Sequence, residues 1–394
     1  MSRIIKEDHA PPKVAVLVDT STSWGRSVVE GIHSYQSMHR RWHIYVAPKG
    51  LDEKLSLPRG WQGQGVIARI GYRELSKQLK QSKLPVVNVS GIRVPGANFS
   101  RITTDLRKSA SLAAEHFLNH GLRHFAYFST IRIDYVSQHQ QAFTNHVQKR
   151  GWSCRIFEPD ERAGHDSEWT MDLSKVKAWI ASLPKPVGIL TWASSAAREF
   201  IYACLENGYK IPEEIAILSG SDDDLFCKVA PVPISAVSVA AEEIGFLAAK
   251  RLEEMMTSPQ WIKQADVFVP PVGITTRQST EILAVDDAAL AKALRYIRED
   301  PSRNIHVDDV AAVAGFCRRV LEQRFAKVLG RSPAAEIKRV RVEYALHLLQ
   351  TTNFRIADVA EKSGFSSAEY MATVFRSELG AAPLSFRRNK PVPS

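Results

Sequence analysis

The sequence predicts an α/β chain of two successive lobes, each a mostly parallel sheet with helices on both faces, followed by an all-α domain with two helix-turn-helix units. Three observations lead there. Strand-like runs alternate with helical stretches in two rounds between residues 13 and 281. The runs themselves, such as Lys13 to Asp19 (KVAVLVD), are continuously apolar and β-branched, as in strands buried on both faces. Finally, one short pattern is written twice near the C-terminus. Val307-Asp308-Asp309-Val310-Ala311-Ala312-Val313-Ala314-Gly315-Phe316 returns as Ile356-Ala357-Asp358-Val359-Ala360-Glu361-Lys362-Ser363-Gly364-Phe365, with Val310 and Val359 lying 49 residues apart.

Taken in order, residues 1–12 form an N-terminal tail and the first strand begins at Lys13. Ser21, Thr22 and Ser23 offer hydroxyl caps for a helix that runs to about His39. The alternation predicts strands over Trp42–Ala47, Gly65–Ile70 and Pro85–Ser90 and a helix over Tyr72–Gln81. A Gly/Pro loop and Thr103-Thr104-Asp105 then precede a helix over Leu106–His120. The second round predicts strands at His124–Ser129, Cys154–Glu158, Val187–Trp192 and Ile215–Gly220, with helices at Ser137–Arg150, Met171–Leu183 and Ser194–Asn207 between them. After Ser235–Val239 and a helix over Ala240–Met256 come the strands Asp266–Pro270 and Gly273–Gln278. So late a return lets the chain cross between lobes more than once, leaving a hinge and a cleft. Residues 282–287 read as a linker, and 288–390 as the helical domain.

Composition narrows the function. The 394 residues are 44% hydrophobic and 24% charged, as in a soluble globular protein, and no apolar run approaches a membrane span. Met1 to Lys13 has no apolar core of the kind a secretory signal needs, so a cytoplasmic location is expected. The 4 cysteines, at 154, 204, 227 and 317, lack Cys-x-x-Cys spacing, and the histidines lack His-Glu-x-x-His spacing, so neither a disulfide framework nor a metal site is expected. Gly60, Gly63 and Gly65 precede a strand rather than follow it, which removes a dinucleotide fingerprint. No P-loop or nucleophile elbow appears, and no cofactor is expected. An enzyme is the weaker class. Residues 301–394 hold 15 Lys+Arg against 9 Asp+Glu, so this quarter of the chain carries more than half of the +10 net charge. That excess suits a polyanionic partner, although a solvated basic face would look the same.

The repeat gives the charge a geometry. In each copy a helix ends at a Gly able to take positive φ, and a second helix follows whose Leu321 and Phe325, or Met371 and Phe375, face inward. At 100° per residue, Arg319 and Gln323 then point outward on the first copy with Glu322 to the side, and Glu369 and Thr373 point outward on the second with Tyr370 lateral. Arg and Gln suit bidentate pairing with guanine and adenine edges. Arg318, Lys327, Arg387 and Arg388 suit phosphate contacts, with Ser367 at the start of the second reading helix. Between the copies, Ala334–Gln350 predicts a helical rod of roughly 25 Å, short of the roughly 34 Å between successive major grooves, so some DNA bending is expected. An ordinary pair of helical hairpins is the bland alternative. In the lobes, Ser219-Gly220-Ser221-Asp222-Asp223-Asp224 follows a strand, where open α/β sheets place ligands. Its carboxylates suit sugar hydroxyls, Mg²⁺ or helix capping, and Trp24 suits either sugar stacking or core packing.

Residues 288–390 resemble the AraC family of DNA-binding domains. The resemblance rests on Asp309-Val310-Ala311 and Asp358-Val359-Ala360, the two Gly-Phe pairs, Arg341 with Ala345 and Leu349, and Gly330-x-x-Pro333. It implies a transcription factor whose two recognition helices enter adjacent major grooves of a double-stranded operator, commonly an activator that contacts RNA polymerase. Residues 13–281 resemble the sugar-sensing core of LacI/GalR regulators, kin to periplasmic binding proteins. The cues are Val28-Val29-Glu30-Gly31-Ile32, Thr104-Asp105, Ile211-Pro212-Glu213-Glu214-Ile215, Gly220-Ser221-Asp222-Asp223 and Glu243-Ile244-Gly245. The sensor-then-reader order is similar to the xylose-operon group of regulators. The resemblance implies a small sugar effector, a pentose such as xylose, in a cleft formed by Trp24, Asp105, His139, Ser194 and Asp222. His139 stands where the family usually has an Arg, and Ser194 where it has Asn or Asp. It also implies a homodimer formed through the sensor. Two alternatives stay open: a sensor that binds no ligand or a non-pentose one, and a sugar-processing α/β enzyme with a helical tail.

Overall fold

The computed structural model describes residues 11–39, 41–50, 53–159, 173–257, 265–281, 287–303 and 305–387. Most of the expected tail and linker, Met171 at the start of one predicted helix, and Arg388 lie outside the described residues. The first round comprises β1 (Lys13–Leu17), α1 (Ser23–Met38), β2 (His43–Val46), β3 (Gly65–Ala68), α2 (Arg73–Ser82), β4 (Val86–Asn88) and β5 (Ser100–Thr104). The second comprises α3 (Leu106–Asn119), β6 (His124–Phe128), α4 (Asp134–Lys149), β7 (Cys154–Ile156), α5 (Leu173–Ser182), β8 (Val187–Thr191), α6 (Ser194–Glu206), β9 (Ile215–Ser219), α7 (Asp224–Val229) and β10 (Ser235–Ser238). Then α8 (Ala241–Thr257) and β11 (Val267–Val269) return to the first lobe, and β12 (Gly273–Thr275) ends in the second.

Each lobe is one sheet. The strand orders are β11-β5-β4-β3-β1-β2 and β12-β10-β9-β8-β6-β7, parallel throughout except where β12 runs against β10. Strand alternation explains the layers. Val14 and Val16 of β1 join the core under α1 and α8, while Ala15 and Leu17 join the one that includes Leu75 and Leu79 of α2. In the second lobe Ala126 and Phe128 of β6 face α5 and α6, and Phe125 and Tyr127 face α3 and α4. Three connections pass between the lobes: β5 to α3, β10 to α8, and β11 to β12. They are tied together where they cross, by Asp105 N donating to Val269 O at 2.7 Å and Val272 N to Ser238 O at 2.8 Å.

Two stretches differ from the sequence expectation. The Gly/Pro loop before Asp105 contains β5, a strand whose neighbours are β4 and the late-arriving β11. The acidic loop after β9 starts α7, six residues long. In addition, α4 begins at Asp134, nearly a turn before Ser137.

The C-terminal domain is helical: α9 (Ala288–Glu299), α10 (Val307–Ala314), α11 (Arg318–Leu329), α12 (Pro333–Thr351), α13 (Ile356–Lys362) and α14 (Ala368–Leu379). Two cores share α12. Its N-terminal half gives Ile337 and Val340 to a core with α9, α10 and α11, and its C-terminal half gives Val342, Ala345 and Leu349 to a core with α13 and α14. Gly315 and Gly364 turn the chain between the paired helices at φ 72 in both units.

Contact between α1 and α8 is set by two glycines. A Cβ on Gly31 would stand 1.9 Å from Glu242 O, and one on Gly245 would stand 2.0 Å from Val28 O. Neither backbone can yield without moving a whole helix. Gly245→Ala should therefore cost about 2 kcal/mol or more, read as a lower denaturant midpoint with an unchanged slope. A midpoint equal to wild type would mean that the helices part freely.

Candidate functional site

A cleft of about 440 Å³ opens between the lobes at the carboxyl ends of their strands, where doubly wound sheets bind ligands. On the first lobe, Asp19 follows β1 and Arg69 follows β3, and Arg69 Nη1 donates to Asp19 Oδ2 at 2.7 Å. Trp24, in the first turn of α1, lines the same wall while packing on the first-lobe core. On the second lobe, Tyr135 of α4 meets Trp192 edge-on at 4.6 Å between ring centroids, and both line the cleft. The charge of Arg69 reaches the Tyr135 hydroxyl from the other lobe.

Asp222 lines the cleft with its carboxylate held at both oxygens. Arg277 Nη2 donates to Oδ1 at 3.1 Å, and Ser238 Oγ donates to Oδ2 at 3.3 Å. Ser194, at the start of α6, donates its hydroxyl to Ser221 O at 2.6 Å and accepts from Asp223 N at 3.2 Å, fixing the loop that carries Asp222. Across the opening, Ser23 N donates to Asp223 Oδ2 at 3.2 Å and Ser23 Oγ to Asp222 O at 3.3 Å.

Of the five residues expected in the cleft, the structure gathers Trp24, Ser194 and Asp222 in its lining and puts two elsewhere. Asp105 caps α3, its Oδ1 accepting from Arg107 N and Lys108 N at 3.1 and 3.0 Å. His139 is 0% exposed, bonded to Tyr127 Oη at 3.0 Å, with Trp192 edge-on to its ring. It backs the wall rather than facing the opening. Asp19, Arg69, Tyr135 and Trp192 were missed. Asp19 and Arg69 did carry a signal, since each is a charge placed just beyond a buried apolar strand.

The second candidate surface belongs to the paired helix-turn-helix units. Leu321 and Phe325 of α11, and Met371 and Phe375 of α14, are 0% exposed, which turns the opposite faces outward. Arg319, Gln323 and Lys327 are exposed on α11, and Glu369, Tyr370 and Thr373 on α14. Arg318 is engaged locally, its Nε to Glu322 Oε1 at 3.1 Å and its Nη1 to Asp308 Oδ1 at 3.6 Å, so it and Glu322 neutralise each other in part. Ser367 is the exposed N-cap of α14, accepting from Tyr370 N at 3.1 Å, which leaves its O–H free to donate. Arg387 folds back to Phe354 O instead of projecting. The 19 residues of α12 make a rod of about 28 Å between the units.

A two-lobed cleft joined to two exposed reading helices is the arrangement of a DNA-binding regulator with a built-in small-molecule sensor. The comparisons agree part by part. Residues 13–103 match the XylR N-terminal domain, 114–280 the periplasmic binding protein-like domain, and 310–389 a helix-turn-helix domain of the AraC type. The chain is 25% identical over 384 residues to the xylose operon regulatory protein of Escherichia coli K12, covering 95% of this chain and 96% of that one. It is 26% identical over 384 residues to the protein of that name from Haemophilus influenzae, covering 96% and 98%. A solved structure described as the xylose-binding transcription activator XylR superposes with a TM-score of 0.61 at 24% identity, covering 96% of this chain and 98% of that one.

Burial lowers the imidazole of His139 to about 4, and burial together with the charges of Arg339 and Arg298 lowers that of His116 to about 3. The unfolded chain binds a proton at each near pH ~6.5, whereas the folded chain stays neutral there. Their contribution is therefore complete above pH ~6.5 and is lost on acidification, by about 1.4 kcal/mol per pH unit for each histidine. Denaturant midpoints should fall between pH 7.5 and 5, and less steeply in His139→Gln. A flat profile would mean that these rings take up protons as readily in the folded chain as in the unfolded one.

Proposed function

We propose that this chain is a cytoplasmic, homodimeric transcriptional regulator in which residues 13–281 bind a pentose, D-xylose or a close relative, and residues 288–390 bind a double-stranded operator. The reading has it activate sugar-catabolic genes in contact with RNA polymerase. One observation carries the effector class: the cleft combines aromatic faces from Trp24, Tyr135 and Trp192 with the carboxylates of Asp19 and Asp222. Carboxylate acceptors and ring faces together suit a polyhydroxylated ligand, since hydroxyls donate to the former and C–H faces stack on the latter. The names of the full-length relatives supply the pentose. Ligand binding would favour the closed arrangement by differential affinity and alter how α11 and α14 are presented. Exposed apolar side chains on the neighbouring helices α6 and α7, Tyr202, Leu205, Leu225 and Val229, support association through the sensor.

Calorimetry with D-xylose should show one site per chain, and Asp222→Asn should weaken it at least tenfold, a loss of about 1.4 kcal/mol. No heat with D-xylose, but heat with another sugar or a sugar acid, would move the effector. No heat with any would leave a ligand-free module. For DNA, Arg319→Ala should cost about 1 to 3 kcal/mol at a single base position, measured against every variant of that pair. Equal losses at all positions would reduce Arg319 to a phosphate contact.

A further inference from the structure

The helix α3 reaches both working parts of the molecule. Leu106 and Ser109 in its first turns line the cleft. At the other end, about 21 Å away for a 14-residue helix, Asn119 meets the helical domain. There Arg331, in the turn between α11 and α12, donates from Nη1 to Asn119 Oδ1 at 2.9 Å and from Nη2 to Asn119 O at 2.6 Å. Arg123, just past the end of α3, donates from Nη2 to Val328 O at 2.6 Å, taking up a carbonyl in the last turn of α11.

Both sides of this joint are fixed. On the sensor side, His116 Nε2 bonds Thr280 Oγ1 at 2.8 Å, and that hydroxyl reaches Ser235 Oγ at 2.7 Å, pinning the last turn of α3 to β10. On the other side, Arg331 Nε donates to Glu336 Oε2 at 2.6 Å, and Glu336 is wholly buried beside Arg298 and Arg339. An Arg fork with three nitrogens on three acceptors has one orientation. Among the described residues, α13 and α14 make no hydrogen bond or ion pair to the sensor.

We propose that Arg331 is a positioning residue that docks the first reader onto α3, so that movement at the cleft end of α3 re-aims α11 and leaves α14 to follow through α12. The proposal rests on the effector reading above for the source of that movement, and on the geometry alone for the joint.

Full-length wild type, Arg331→Ala, Arg331→Lys and Asn119→Ala are compared on a genomic DNA fragment retained by wild type, with D-xylose as the probe. Wild-type DNA affinity should change at least tenfold between zero and saturating D-xylose. In all three variants it should change less than twofold, with D-xylose affinity by calorimetry unaltered. Arg331→Lys keeps a charge for Glu336 but lacks the fork, so rescue by Lys would reduce the residue to a structural charge and overturn the proposal. A wild-type response in Arg331→Ala or Asn119→Ala overturns it too. If wild type fails to bind D-xylose, the pentose reading falls and amide exchange decides the joint. Residues 116–123 of the free protein should exchange at least fivefold faster in Arg331→Ala and Asn119→Ala, and exchange equal to wild type overturns the proposal.

Discussion

Three arginines converge on the carboxylate of Glu336, which solvent does not reach, and the placement of both readers follows from how that charge is satisfied. Arg298 comes from α9, Arg331 from the turn before α12, and Arg339 from α12 itself. Burial alone would raise the Glu336 carboxyl, but the hydrogen bond and charge of Arg339, with the charges of Arg298 and Arg331, hold it well below the usual carboxylate range. Stripping partners from such a group costs about 3 to 5 kcal/mol. Consequently α9, the α11–α12 turn and α12 behave as one piece. Since α9 is the first helix after the linker, the segment leaving the sensor enters a rigid body at once.

From that body the second reader is placed by helix stiffness. The inward face of α12 changes core partway along, from Val340 in the first unit to Val342 and Ala345 in the second. Neither unit can rotate about α12 without exposing its own apolar residues. Lys338 on α12 adds a surface pair to Glu378 of α14 at 2.5 Å, of the kind worth little by itself. The separation of α11 and α14 is thus a property of nineteen helical residues. The rod itself is about 28 Å long, of the order of the roughly 34 Å between successive major grooves.

Much of this was legible because it is local. Strand runs, glycine turns and the inward pairs Leu321/Phe325 and Met371/Phe375 are written within a few residues of one another. β5 was not, because Ser100–Thr104 has no run of apolar residues and its edge partner β11 arrives more than 160 residues later. In the cleft, Trp24, Ser194 and Asp222 were found through strand ends and family resemblance. Asp105 was misplaced because an Asp before a helix offers its oxygen to backbone N–H groups first, and the structure uses it that way. His139 depended on which face of α4 packs on the sheet. The ring lies against Tyr127 and behind Trp192, an orientation fixed by tertiary packing and invisible in the sequence.

The charge pattern of the cleft bears on what it admits. Asp19 is paired with Arg69, Asp222 with Arg277, and Arg198 with Glu199. In so confined a space an unpaired charge would require a counter-charge from its ligand, because the solvation it gives up is large. These pairs cancel within the protein and Asp223 adds a further negative charge to the lining, so an anionic ligand would enter without a free partner and pay desolvation uncompensated. An uncharged polyol meets no such barrier, because each paired carboxylate retains lone pairs that can accept a hydroxyl proton. The one acidic group tied across the opening, Asp223, accepts from Ser23 N at the start of α1, where the free N–H groups and dipole of the helix favour negative charge. The lobes are therefore held at the mouth by a bond needing nothing from the ligand, and recognition is left to the hydroxyl-accepting carboxylates and the aromatic faces inside.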